Sequence, residues 1–161
     1  MAQIVAEGLT FDFPTDLGLL KFDQQDKNKP DFHVLHAEMK AVDVIAELPT
    51  KDVYVEIKDF MNKKTGVPVQ PSLEHLLESL KYKYRDSFVY RYGQGKTTKP
   101  VLFVCLIDNL DKRLFMQLQK RLAKSIPAGK VNGWVVEILH EVIVVDKSDW
   151  NRNLSVFGTV V

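Results

Sequence analysis

Two stretches of apolar residues at alternate positions, 41–46 and 53–58, flank the turn-like segment Leu48-Pro49-Thr50-Lys51-Asp52 and constrain this chain more than any other feature. They predict a β-hairpin, because strand side chains alternate between faces with period two and a proline-containing polar break lets the chain reverse. In the second stretch Val53, Val55 and Ile57 share one face, and Tyr54, Glu56 and Lys58 share the other. Val42 and Val44 mark the first strand, with Asp43 between them. A carboxylate from one strand and a carboxylate plus lysine from the next can then meet at one edge of the hairpin. Two hard oxygen ligands in that position would hold Mg²⁺, with Mn²⁺ as a substitute. A lysine beside them would orient the attacking water or offset charge building on a phosphate.

The rest of the chain predicts crossover elements around that hairpin. The first thirty residues read as loops with one short strand at 19–22, and residues 32–39 read as a short helix. Residues 61–71, carrying Gly66, Pro68 and Pro71, read as a loop. Ser72 is placed to cap a helix that runs to about Phe88, with Leu73, Leu76, Leu77, Leu80 and Tyr84 recurring at three- and four-residue spacing. Residues 101–107 predict a buried strand, Asp111 a cap for a helix over 112–125, and residues 134–145 a last strand. A hairpin followed by crossover helices implies an α/β fold with a mixed central sheet flanked by helices. Residues 1–161 fit one domain, and no internal repeat or linker divides them.

Charge is segregated along the chain. Residues 1–60 carry 6 basic and 12 acidic side chains, residues 61–130 carry 14 and 5, and residues 131–161 carry 2 and 4, although the formal net charge is only +1. The basic middle suits a polyanion, and the acidic first third suits a cation. Lys81, Lys83, Arg85 and Arg91 stand among Tyr82, Tyr84, Phe88, Tyr90 and Tyr92, a mixture that suits nucleic acid: cations for phosphates and exposed rings for unpaired bases. Tyr84 belongs to the leucine stripe and reads as core. Lys112, Arg113, Lys120, Arg121 and Lys124 form a second basic set on the later helix. The single cysteine, Cys105, lies within an apolar run and reads as a buried inert thiol. The sequence shows no secretory signal and no apolar run of membrane-spanning length, so a cytoplasmic protein is expected.

Asp43, followed after twelve residues by Glu56-Ile57-Lys58, resembles the motif of the PD-(D/E)xK, or restriction endonuclease-like, nuclease superfamily. The phrases Lys40-Ala41-Val42-Asp43 and Tyr54-Val55-Glu56-Ile57-Lys58-Asp59-Phe60 are similar to uncharacterised bacterial members, with Val42 in place of the motif's proline. The resemblance covers roughly residues 19–145. It implies a restriction endonuclease-like core, catalysis by Asp43, Glu56 and Lys58, and a metal held by Asp43 and Glu56. Members often add an acidic group from the preceding helix, which makes Glu38 the candidate third ligand. His33 and His36 are spaced too closely to signal zinc without a cysteine or further histidine nearby. The implied activity is Mg²⁺-dependent hydrolysis of phosphodiester bonds in DNA or RNA, with a protein partner or a homodimer as the working form. Two other readings compete: an inactive nuclease-like fold that binds nucleic acid or protein, and an unrelated α/β binding protein with solvent-facing hairpin charges. Exposed, divergent side chains at 43, 56 and 58 would mark the last.

Overall fold

Long apolar strands that are buried on both faces must sit at the centre of a sheet, and in the computed structural model, which describes residues 2–14, 18–29 and 38–161, two such strands do. In chain order the strands before the first helix are β1 (Ala2–Ala6), β2 (Leu9–Phe13), β3 (Gly18–Lys21), β4 (Val44–Glu47), β5 (Asp52–Asp59), β6 (Met61–Asn62) and β7 (Val67–Pro68). Then come α1 (Leu73–Gly93), β8 (Val101–Asp108), α2 (Lys112–Ser125), β9 (Glu141–Val145), α3 (Lys147–Asn153) and β10 (Thr159–Val160). The main sheet has the order β3-β4-β5-β8-β9. Its first three strands are antiparallel neighbours, whereas β5, β8 and β9 run parallel. Helices α1 and α2 are the crossovers that parallel pairing demands.

The period-two pattern of β5 separates two cores. Tyr54 packs with Phe103, Cys105 and Ile107 against Leu76, Leu77, Leu80 and Tyr84 of α1 and Leu118 and Leu122 of α2. Val53, Val55 and Ile57 face the other way, joining Leu102, Val104 and Leu106 against Phe11, Phe13, Trp150 and Phe157. Each large side chain in these layers is worth about 2–5 kcal/mol on truncation to alanine. The mixed α/β class with helices on both faces therefore stands, and the predicted hairpin is present, although its first strand begins at Val44 rather than Ala41 and Val42 and Val44 enter opposite cores. Ser72 caps α1 and Asp111 caps α2, each accepting a backbone N–H of the first turn. Cys105 is fully buried, and burial pushes its thiol well above the ordinary value.

Five further readings of the sequence need correction. The N-terminal region is not mainly loop: β1 and β2 form a hairpin across Glu7 and Gly8, both at positive φ, and β10 joins them in a three-stranded sheet. The alternation of Leu9, Phe11 and Phe13 carries that signal. Residues 61–71 contain the small β6–β7 hairpin, and α1 continues past Phe88 to Gly93. The last strand begins at Glu141, not near Trp134; its partner β8 starts at Val101, directly after Pro100, and Val135 is fully exposed. The predicted ending of the main fold at that strand also omits α3, whose Trp150 packs edge-on to Phe11 and donates its indole N–H to the Gly158 carbonyl. Gly158 is required there, since a Cβ would lie 2.4 Å from the Asp12 carbonyl oxygen. The predicted helix over 32–39 falls mostly outside the described residues, as do His33 and His36.

Candidate functional site

Asp43 enters the site through backbone pairing. Its N–H bonds the Val55 carbonyl at 3.0 Å, and its own carbonyl accepts the Phe22 N–H at 2.9 Å, so the residue is pinned between β3 and β5 just before β4 begins. Its side chain then continues the ladder: Oδ2 accepts the Ile57 N–H at 2.6 Å. Glu56 projects from the middle of β5 toward α1. Asp43 is 1% exposed and Glu56 is 0% exposed, which removes the reading in which the hairpin charges face solvent.

Two ammoniums converge on this pair. Lys58 Nζ lies 2.9 Å from Glu56 Oε1, and Lys83 Nζ lies 2.8 Å from the same oxygen and 3.6 Å from Asp43 Oδ1. Lys83 comes from α1, which is stitched to the chain entering β4: Ser87 Oγ accepts the Val42 N–H at 2.9 Å, and Asp86 accepts the Lys40 N–H at 3.0 Å. Asp23, two residues after β3, adds a third carboxylate beside Asp43. Glu56 Oε2 and Asp23 Oδ1 are buried and have no hydrogen-bond partner among the described residues, while Glu56 Oε1 faces both ammoniums.

The electrostatics follow from crowding. Burial, and then the charge of Asp43, raise Glu56 to about 7, against the opposing pull of Lys83 and Lys58. Burial, with Asp43 next, raises Asp23 to about 6. For Lys83, burial favours the neutral amine, but Glu56 and Asp43 outweigh it and hold the ammonium above its ordinary value. Near neutral pH Glu56 therefore takes up a proton readily, and Asp23 does so about one pH unit lower.

The structure brings Asp43, Glu56 and Lys58 together, and it places the other predicted residues differently. Glu38 is exposed, in contrast to the buried pair. Among the described residues no group of three histidine, cysteine, aspartate or glutamate side chains is set to hold a metal ion. Of the four predicted phosphate contacts, Lys81 is half-buried, and Arg85 is exposed, stacked over the Tyr82 ring at 4.5 Å and paired with Asp86. Lys83 turns inward. Arg91 is corrected outright as a surface contact: it is 2% exposed and paired with Glu47.

Sequence reasoning missed the inward roles of Lys83 and Asp23. The signal for Lys83 was present, because it falls at helical spacing with Leu76, Leu80 and Ser87 on the buried face of α1. Asp23 has no local signature. Its place depends on pairing between β3 and β4 across the intervening chain.

A second polar cluster occupies the same side of β5 at its other end. Arg91 pairs with Glu47 and donates to Gln94 at 3.3 Å, while Lys96 lies 3.5 Å from Glu47. Lys99 Nζ lies 2.8 Å from buried Asp52 and donates to the Leu48 carbonyl at 2.7 Å. The buried Tyr54 hydroxyl belongs to this cluster, facing Arg91, Asp52 and Glu47, and burial pushes it well above its ordinary value.

Comparison of the chain with protein-family models, with curated proteins and with solved structures finds no match.

Proposed function

We propose that this chain is a Mg²⁺-dependent nuclease with a restriction endonuclease-like core, hydrolysing phosphodiester bonds of DNA or RNA. The observation that carries the reading is the convergence of Asp43 and Glu56 in a buried setting, with a free glutamate oxygen and Lys58 at the edge. The orphaned oxygens Glu56 Oε2 and Asp23 Oδ1 fit a hard cation, since such ions take oxygen ligands and Mg²⁺ is commonly held by only one or two carboxylates. Asp43 and Glu56 would hold it, with Asp23 adjacent. When bound, the cation offsets phosphate charge and makes water a better nucleophile. Lys58, 29% exposed in its side chain, is placed to contact phosphate oxygens or orient water. Lys81 and Arg85, on the outward side of α1, would help seat the nucleic-acid backbone.

The element order supports the same reading: a three-stranded antiparallel unit, a crossover helix and a parallel strand, with Asp43 at the entry to β4 and Glu56-Ile57-Lys58 on β5. The absence of a three-ligand group among the described residues favours a second reading, a non-cutting nucleic-acid-binding fold. A cleavage assay with Mg²⁺ or Mn²⁺ on duplex DNA, single-stranded DNA and RNA separates them. Asp43→Asn and Glu56→Gln should abolish cleavage and any rise in melting temperature caused by the cation. Lys58→Ala should lower cleavage by about a hundredfold or more while keeping that rise. Wild-type protein that binds nucleic acid and shows neither cleavage nor a cation response would establish the second reading.

A further inference from the structure

We propose that Lys83 competes with the divalent cation for the Asp43–Glu56 pair and thereby sets the affinity of the site, an inference that rests on the metal-dependent reading above. Asp43 Oδ2 already accepts the Ile57 N–H, so Oδ1 is its less committed oxygen. Oδ1 is the oxygen Lys83 approaches at 3.6 Å, and Lys83 simultaneously sits 2.8 Å from Glu56 Oε1. A cation shared by Asp43 and Glu56 must approach the same region, since hard cations bind carboxylate oxygens at about 2.0–2.6 Å. A compact ammonium and a divalent ion repel each other strongly when both are partly removed from water. Lys83 has a four-carbon stem and can withdraw, whereas Asp43 is fixed by backbone pairing.

Lys58 does not duplicate this role. Of the two carboxylates it pairs with Glu56, and its side chain is more exposed, 29% against 18% for Lys83. The bridging position belongs to Lys83, which comes from a different element. The ammonium keeps two buried carboxylates compatible with folding, and its withdrawal makes room for the ion.

The test titrates Mn²⁺ and Mg²⁺ into wild type, Lys83→Met and Glu56→Gln by calorimetry and thermal melting. Methionine retains the apolar stem and removes the charge. Lys83→Met should melt lower than wild type without added cation, bind Mn²⁺ about tenfold tighter or more, and show the larger cation-induced rise in melting temperature. A wild type that binds Mn²⁺ alongside a Lys83→Met variant that binds it equally or more weakly overturns the competition and leaves the metal site standing. Failure of both proteins to bind overturns the metal-dependent reading itself. If Lys83→Met does not fold, acylation of wild-type lysines read by mass spectrometry decides. Lys83 should label several-fold faster once Mn²⁺ is bound, and an unchanged rate in protein that binds Mn²⁺ overturns the inference.

Discussion

At one end of β5, Arg91 of α1 reaches Glu47 beside Asp52 and Tyr54; four residues along the same strand, Lys83 of the same helix reaches Glu56 and Asp43. The spacing is matched, since four strand residues and eight helix residues each advance roughly 12–13 Å. The balance of charge differs. The first cluster sets Arg91, Lys96 and Lys99 against two acids, and although burial raises Glu47, the bond and charge of Arg91, with Lys96, bring it below its ordinary value. The second sets Lys21, Lys58 and Lys83 against Asp23, Asp43 and Glu56, with no surplus of cations, and Glu56 rises. A cluster whose cations outnumber its acids holds the fold together. In the first, buried Asp52 Oδ1 lacks a hydrogen bond but faces Lys99 at 2.8 Å, whereas in the second Glu56 Oε2 and Asp23 Oδ1 have neither a hydrogen bond nor an ion pair among the described residues, and such oxygens store the capacity to bind something more.

The largest effect expected from this contrast is on stability. Arg91→Met leaves Glu47 with Lys96 alone and should cost about 2–3 kcal/mol in chemical denaturation, with no recovery on adding Mg²⁺ or Mn²⁺. Recovery by cation would break the distinction between the clusters.

A smaller effect concerns pH. Because folding raises Glu56 from 4.5 to about 7, the folded protein holds that proton more tightly than the unfolded chain. The associated stability is fully present below about pH 4.5 and is lost as pH rises through about 7; Asp23 acts in the same sense up to about 6. Wild type should therefore lose about 2 kcal/mol between pH 5 and 8, and Glu56→Gln should flatten most of that slope. Parallel pH curves for the two proteins would show that Glu56 does not titrate in this window.

The smallest effect tests whether the clusters act independently. Tyr54→Phe removes the hydroxyl that faces Arg91, Asp52 and Glu47 in the first cluster, and should change stability by about 1 kcal/mol. It should leave the cation-induced rise in melting temperature intact. A Tyr54→Phe protein that loses the rise would join the two clusters into one network.

The local patterns in the sequence were enough to find the hairpin, both helix caps and the central pair. Alternation put Glu56 and Lys58 on one face, and pairing between β4 and β5 brought Asp43 to them. What escaped depended on contacts between distant segments. A lysine in a basic stretch looks solvated until helical spacing is compared with the leucines, as Lys83 shows, and Arg91 lies one helix turn past Ser87 on that same buried side. Apolar content alone misled at residues 134–140, where Trp134, Val135 and Val136 have strand-like side chains but lie ahead of the β8–β9 register. Asp23 could be assigned only after β3 had found β4.

The bond from the Ile57 amide to Asp43 has a consequence for measurement. Since a carboxylate rather than a peptide carbonyl closes that rung, at 2.6 Å, the Ile57 amide proton reports on the charge of Asp43. Its resonance should lie far downfield and move when Asp43 is neutralised, giving a spectroscopic view of the site that needs no substrate. The same bond freezes the aspartate's rotamer during folding, so an incoming ligand is spared an ordering cost of about 0.5–1.5 kcal/mol.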